Sequence, residues 1–175
     1  KNTITVSFLY DEDTVGGGNT TEVTVYAVIY NANGGTKIEN DYAAVGDEVS
    51  FPDAEYAGYE FVGWYDVPNG GENNGKKISS GKLTKAADLY LYAYFVPKRY
   101  TVTLDTANGG TIDNETATVS FGKEYTLPVP ESSDESKVFG GWYSEPNGAG
   151  IRYSDSEGKG VGAWTVVGDV TVYAY

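Results

Sequence analysis

Hydrophobic and polar residues alternate along several short stretches of this chain. TITVSFLY (3–10), VYAVIY (25–30) and YTVTL (100–104) all follow this pattern. Alternation with a period of two predicts half-buried β-strands, and no stretch keeps helical periodicity beyond a turn or two. The strands at 25–30 and 100–104 both run toward Asn-Gly, which is a strong hairpin signal. The pattern therefore predicts a mainly β protein, with α+β as the limit.

The same motifs occur twice, in the same order and with spacing that drifts by small insertions. The pairs are NANGGT and TANGGT, VGDEVSFP and FGKEYTLP, GWYDVPNG and GWYSEPNG, and DLYLYAY and DVTVYAY. Ordered motifs at variable spacing are typical of duplicated modules whose loops differ. We predict a strand-and-loop extension at 1–23, a first module at 24–97 and a second module at 98–175.

Composition removes several classes of function. The 175 residues include no histidine, cysteine or methionine, which excludes disulfides, thiol nucleophiles and histidine-dependent triads and zinc sites. The net charge of −13 disfavours nucleic acid and anionic membranes as partners. No run approaches the ~20 apolar residues of a membrane span. A chain that starts at Lys1 and lacks methionine is expected to be a piece of a longer protein.

The run from NGG through GYEF and GWY to LYAY resembles the Listeria–Bacteroides repeat, also called the internalin B-repeat. The resemblance covers residues 24–175, although the second module has SKVF (136–139) where the first has GYEF (58–61). It implies two tandem β-grasp-like modules in an extracellular, bacterial cell-surface protein, and it implies no cofactor. The expected function is a non-catalytic spacer or adhesion segment. Its expected partners are flanking domains of the parent protein and a host or cell-surface protein or glycan.

The repeated tryptophans have two interpretations. A glycine inside a strand often marks a bulge. A bulge at the glycine before each tryptophan would bring the tryptophan to the same side of the sheet as the preceding phenylalanine. Small modules need their largest side chains inside, which favours Phe61, Trp64, Phe139 and Trp142 as core residues. The alternative is that the tryptophans contact a ligand. Trp164 has no counterpart in the first module and is expected to pack locally.

Tyrosines suggest a candidate binding surface in the first module. In the last strand, Leu89, Leu91 and Ala93 share the core face and the tyrosines alternate away. In the first strand, Ala27 and Ile29 are expected to face the core. In a β-grasp-like fold these strands are neighbours, so an outer face would form. It would carry Tyr26, Tyr30, Tyr90, Tyr92 and Tyr94. This face is predicted either to bind glycan or protein, or to be covered by residues 3–10 or by a neighbouring module.

The loop after the N-terminal strand is a weak candidate for a metal site. Asp11, Asp13 and Glu22 have part of the spacing of a calcium loop. Val15 stands where a fifth-position ligand belongs, and strands flank the loop where helices should. We therefore expect no bound metal there.

Overall fold

A computed structural model describes residues 2–6, 21–107 and 109–175. Within these ranges the regular structure is fifteen β-strands and a single 3₁₀ turn at Pro146–Gly148, which confirms the prediction of a mainly β fold. The strands up to Pro97 are β1 (Asn2–Val6), β2 (Thr21–Asn31), β3 (Asp41–Ala43), β4 (Glu48–Val49), β5 (Tyr59–Tyr65), β6 (Lys77–Ile78), β7 (Gly81–Lys82) and β8 (Leu89–Pro97). The later strands are β9 (Arg99–Asp105), β10 (Gly110–Thr111), β11 (Thr116–Ser120), β12 (Glu131–Ser132), β13 (Trp142–Glu145), β14 (Ala149–Arg152) and β15 (Val170–Ala174).

Each module is built on a mixed sheet with a parallel pair at its centre. In the first module the strand order is β1-β2-β8-β5-β6, and β3 also pairs with β2. In the second the order is β11-β9-β15-β13-β14. The first and last long strands are parallel neighbours in both sheets, as expected for a β-grasp-like module. The strands that carry GWY, β5 and β13, occupy the same place beside the last strand, so the two modules fold alike.

The predicted N-terminal strand is present as β1, which pairs antiparallel with the start of β2. Its predicted end, residues 7–10, lies outside the described residues. The chain divides into two compact units: Lys1–Tyr56 with Phe61–Phe95, and Ala57–Glu60 with Val96–Tyr175.

Each repeat has a hydrophobic cluster of its own. The first cluster consists of Val28, Tyr30, Ala43, Val49, Ala54, Trp64, Leu83, Leu91 and Ala93. The second consists of Val102, Leu104, Val119, Leu127, Trp142, Trp164 and Val172. Leu91 and Ala93 lie on the core face of β8, which confirms the alternation predicted for the last strand.

The core face predicted for β2 is wrong. Val28 is fully buried and Tyr30 is 6% exposed, and both belong to the first hydrophobic cluster, whereas Ile29 is only partly buried. Ala27 is 5% exposed and so is buried as predicted, but it is not a member of that cluster. In the ladder to the last strand, Val28 occupies the place that Val102 has in the second repeat. The first strands of the two repeats therefore superpose with a shift of one residue relative to the alignment of NANGGT with TANGGT. This shift moves the core-facing positions of β2 to the other face of the strand.

Candidate functional site

The tryptophan of each GWY motif is buried in the core of its repeat. Trp64 is 3% exposed and Trp142 is fully buried. Their indole Nε1 groups donate hydrogen bonds to the backbone carbonyls of Pro52 and Pro128, at 2.7 and 2.8 Å. A buried indole N–H needs such an acceptor. The repeated prolines therefore have a second role beyond ending a strand, and their duplication in the sequence is the signal for it.

A glycine turns the backbone immediately before each tryptophan. Gly63 and Gly141 have φ values of +149° and +133°, a region that favours glycine because it has no Cβ. The rings on either side of this turn meet edge to face. Phe61 and Trp64 have centroids 5.4 Å apart, and Phe139 and Trp142 have centroids 5.5 Å apart. The motif therefore sets two aromatic residues into one core despite their spacing.

The tyrosine of each GWY motif packs against the last tyrosine of its repeat. Tyr65 and Tyr94 meet edge to face with ring centroids 5.6 Å apart, and Tyr143 and Tyr175 do so at 5.7 Å. Because neighbouring residues of a strand point to opposite faces, these tyrosines lie on the face opposite the tryptophans. Both repeats thus carry the same tyrosine pair outside the core.

The Pro-Asn-Gly turn folds back over this tyrosine pair. Asn69 and Asn147 have positive φ values of 51° and 63°, which asparagine tolerates better than most residues. The turn approaches so closely that a Cβ on Gly71 would lie 2.1 Å from the ring of Tyr94. A Cβ on Gly148 would lie 2.9 Å from the ring of Tyr175. The turn after each GWY strand therefore reaches the outer tyrosines, but it covers only Tyr94, since Tyr175 remains 62% exposed.

The five-tyrosine surface predicted from the sequence does not form. Tyr30 belongs to the core, and its hydroxyl donates a 2.8 Å hydrogen bond to Asp41 Oδ2. Burial and this carboxylate raise the pKa of Tyr30 well above its usual value. Tyr26 is partly buried and packs against the same core. The predicted outward positions of these two tyrosines are therefore wrong.

The tyrosines of the last strand alternate away from Leu91, as predicted, but they differ in exposure. Tyr90 is 53% exposed, whereas Tyr92 and Tyr94 are partly buried. Tyr94 is covered by Tyr65 and by the glycine-rich turn of its own repeat. The remaining candidate surface is Tyr90 with the exposed part of Tyr92.

Sequence reasoning missed an aspartate that immediately precedes the last strand of each repeat. Asp88 Oδ1 accepts a hydrogen bond from the Ala27 backbone N–H at 2.9 Å. Asp169 Oδ1 accepts one from the Thr101 N–H at 2.7 Å. Each carboxylate thus joins the last strand to the first strand just before their ladder begins. The aspartate at the same place in DLYLYAY and DVTVYAY is the signal that could have found it.

Trp164 has a structural counterpart in Leu83, contrary to the expectation that it has none. The backbone carbonyls of Leu83 and Trp164 accept equivalent 2.8 Å hydrogen bonds from Gly46 and Gly122. In the second repeat the larger side chain is 1% exposed and stacks on Tyr153, with ring centroids 5.3 Å apart. The two copies therefore fill one core position with different volumes.

Two tyrosines of the second repeat have unusual polar environments. The Tyr125 hydroxyl donates to the Tyr153 carbonyl at 2.7 Å, and burial raises the pKa of Tyr125 to about 12. The hydroxyl of Tyr100 is buried and has no hydrogen-bond partner among the described residues. Such an orphaned group costs free energy that a purely apolar ring would not.

Asp11 and Asp13 of the candidate calcium loop lie outside the described residues, as does the side chain of Glu22. Across residues 2–6, 21–107 and 109–175, no three acidic side chains come close enough together to hold a metal ion. In that same part of the chain, no helix has the length and hydropathy needed to cross a bilayer.

Comparison with known proteins places these features in a family. The Listeria-Bacteroides repeat domain matches residues 26–94 and again residues 100–175. A protein of Evansella cellulosilytica named as a Gly-rich membrane protein is 29% identical over 157 residues, covering 87% of this chain and 16% of its own. Another named as a membrane protein of that organism is 31% identical over 125 residues, covering 71% and 18%. Internalin H of Listeria monocytogenes is 33% identical over 119 residues, covering 67% of this chain and 19% of its own length. The chain therefore spans less than a fifth of these relatives, and it belongs to the Listeria-Bacteroides repeat family, with two copies of the repeat in tandem.

Proposed function

We propose that this chain is a non-catalytic spacer segment of an extracellular protein on the bacterial cell surface. The observation that carries the proposal is that each repeat completes a hydrophobic core of its own around its buried GWY tryptophan. A unit of this kind can be added in series without needing a ligand to become stable. The names of the relatives, an internalin and two membrane proteins, support a location in the cell envelope.

The absence of enzymatic activity is part of the same proposal. The sequence contains no histidine or cysteine for the usual nucleophile and base pairs. A surface groove in the second repeat is lined by charged, hydroxyl-bearing and glycine residues: Glu124, Tyr125, Thr126, Glu157, Lys159, Gly160 and Gly162. The Asp155 carboxylate beside it accepts hydrogen bonds from the Glu157 and Lys159 backbone N–H groups, which is how a surface loop is ordered. This arrangement orders a surface turn, and the sequence offers no histidine or cysteine to form a nucleophile and base pair there.

A binding module is the second candidate function, because tyrosine side chains remain exposed on the outer sheet faces, Tyr90 in the first repeat and, at a different position, Tyr175 in the second. Tyr90 is exposed and the neighbouring outward tyrosine is partly buried, which leaves a small aromatic patch for a glycan or protein. The matching positions in the second repeat carry Thr171 and Tyr173, so the patch is not duplicated. A spacer function does not require this patch, whereas an adhesive function would depend on it.

Binding measurements with the purified chain separate the two candidates. The wild-type chain, Tyr90→Ala and the matched Thr171→Ala variant should be applied to glycan arrays and to intact host and bacterial cells. A spacer is expected to give no specific retention, and the three proteins should behave alike. Retention that is lost in Tyr90→Ala and kept in Thr171→Ala, with both variants folded by circular dichroism, would contradict the spacer and establish the binder.

A further inference from the structure

Each repeat places its first long strand directly beside its last strand, with both running in the same direction. The β2–β8 ladder runs from Val28 opposite Leu89 to Asn31 opposite Tyr92. The β9–β15 ladder runs from Val102 opposite Val170 to Asp105 opposite Tyr173. The two ladders have the same register and the same number of residue pairs. The chain therefore enters each repeat at one end of the parallel pair and leaves it at the other end.

This path determines how a pulling force acts on the repeat. Tension along the chain draws the first strand back past its start and the last strand forward past its end. The hydrogen bonds of a parallel ladder are evenly spaced, so all of them are loaded together in shear. We propose that the parallel strand pair of each repeat is a load-bearing clamp that resists unfolding when the chain is pulled lengthwise. Its use in a surface protein rests on the proposed spacer function, whereas the resistance is a property of each repeat.

The aspartate just before each last strand extends the clamp. Asp88 and Asp169 bind the backbone N–H groups of Ala27 and Thr101, one residue before the first pair of each ladder. A hydrogen bond to an ionised acceptor is stronger than one between neutral groups. Because the bond joins the two strands that tension would slide apart, it is loaded together with the ladder. Its duplication is explained if both repeats bear the same load.

The far end of the clamp differs between the repeats. Asn33 Nδ2 donates a 2.7 Å hydrogen bond to the Ala93 carbonyl, which ties the turn after β2 to the last strand. The structurally equivalent residue in the second repeat is Ala107, which has a similar positive φ of 53°. In both residues the backbone N–H donates a hydrogen bond to the side-chain oxygen of the residue two positions earlier. Alanine has no amide to donate. Among the described residues, which do not include Asn108, the first repeat holds its clamp at both ends and the second at the Asp169 end.

Pulling the second repeat in two directions tests the clamp directly. The chain has no cysteine, so introduced cysteines define where force is applied. One handle is attached at Arg99→Cys in every case. The other is attached either after Tyr175, which loads the ladder lengthwise, or at Val167→Cys, which opens it from one end. Survival time is then measured at a constant force, because forced unfolding is governed by the unfolding rate.

The clamp predicts that lengthwise survival is at least about tenfold longer, equivalent to about 1.4 kcal/mol, since all ladder bonds must yield at once. Asp169→Ala should shorten lengthwise survival by about tenfold, the effect of losing one charged hydrogen bond. When the ladder is opened from the Val167 end its bonds break one after another, so the same substitution should shorten survival by much less than in lengthwise pulling. Asp169→Asn keeps the side-chain acceptor and should recover part of the loss. Asp113→Ala removes the same charge from an exposed position outside the clamp and should have no effect.

A gain of strength provides a test that does not depend on a damaged fold. Ala107→Asn should lengthen lengthwise survival of the second repeat, because it restores the amide that Asn33 supplies in the first. Equal survival in both pulling directions would overturn the clamp. So would an Asp169→Ala effect that is the same in both directions, since the aspartate would then support the fold without bearing load. Either result would leave the surface location, which is tested on intact cells, unaffected.

Discussion

Replacing Trp142 with alanine should unfold the second repeat or bring it close to unfolding. The side chain is fully buried, and truncating a buried tryptophan costs about 3–5 kcal/mol. Loss of the Nε1 hydrogen bond leaves the Pro128 carbonyl unpaired, which adds about 1 kcal/mol. At about 0.05–0.15 kcal/mol per residue, a repeat of this size holds about 4–11 kcal/mol in total. The expected loss is therefore of the same size as the whole stability of the repeat.

Urea unfolding followed by tryptophan fluorescence in a Trp64→Phe background measures this loss, because Trp164 lies in the second core and is then the only tryptophan left in the Trp142→Ala variant. Trp142→Phe keeps a ring but removes the Nε1 donor, and should show an intermediate loss. Val138→Ala, at a position that is 89% exposed, is the matched control and should stay within about 0.5 kcal/mol of wild type. A Trp142→Ala protein whose second repeat melts within a degree or two of wild type would refute the assignment of this tryptophan to the core.

Three further perturbations have definite expected outcomes. Gly71→Ala should destabilise the first repeat by about 1–3 kcal/mol in urea unfolding, because its Cβ collides with the Tyr94 ring. Tyr100→Phe should leave the melting temperature unchanged or raise it, since it removes a buried hydroxyl without a partner. The pKa of Tyr125 is about 12 in the folded chain and about 10 when unfolded, so folding favours the protonated phenol. The contribution of Tyr125 to stability is present below pH 10 and is lost between pH 10 and 12. Tyr125→Phe should therefore flatten this alkaline decline in the urea midpoints measured over a pH series.

The division into two mainly β modules could be predicted because the same motifs occur twice in the same order. The adjacency of the first and last strands followed from the family resemblance, and the alternation in LYLYAY correctly assigned Leu91 and Ala93 to the core. The face of β2 could not be predicted from VYAVIY alone, because both faces of that stretch are hydrophobic. Tyr30 enters the core because its hydroxyl reaches Asp41, a contact that no local pattern reveals.

The candidate site was predicted less well than the fold for a related reason. Alternation states which residues leave the core face but not what then covers them. Tyr94 faces outward as predicted, yet the turn that contains Gly71 closes over its ring. The role of Asp88 depends on its distance from the Ala27 N–H, and the two residues are far apart in sequence. Duplicated residues without an obvious core role were the strongest unused signal.

Labelling of intact cells tests the central claim most directly. Antibodies raised against this chain are applied to the producing bacterium before and after permeabilisation, with a cytoplasmic protein as the control for leakage. A cell-surface segment predicts the same signal in both samples and removal of that signal by protease added to intact cells. A signal that appears only after permeabilisation, and that resists external protease, would contradict the account.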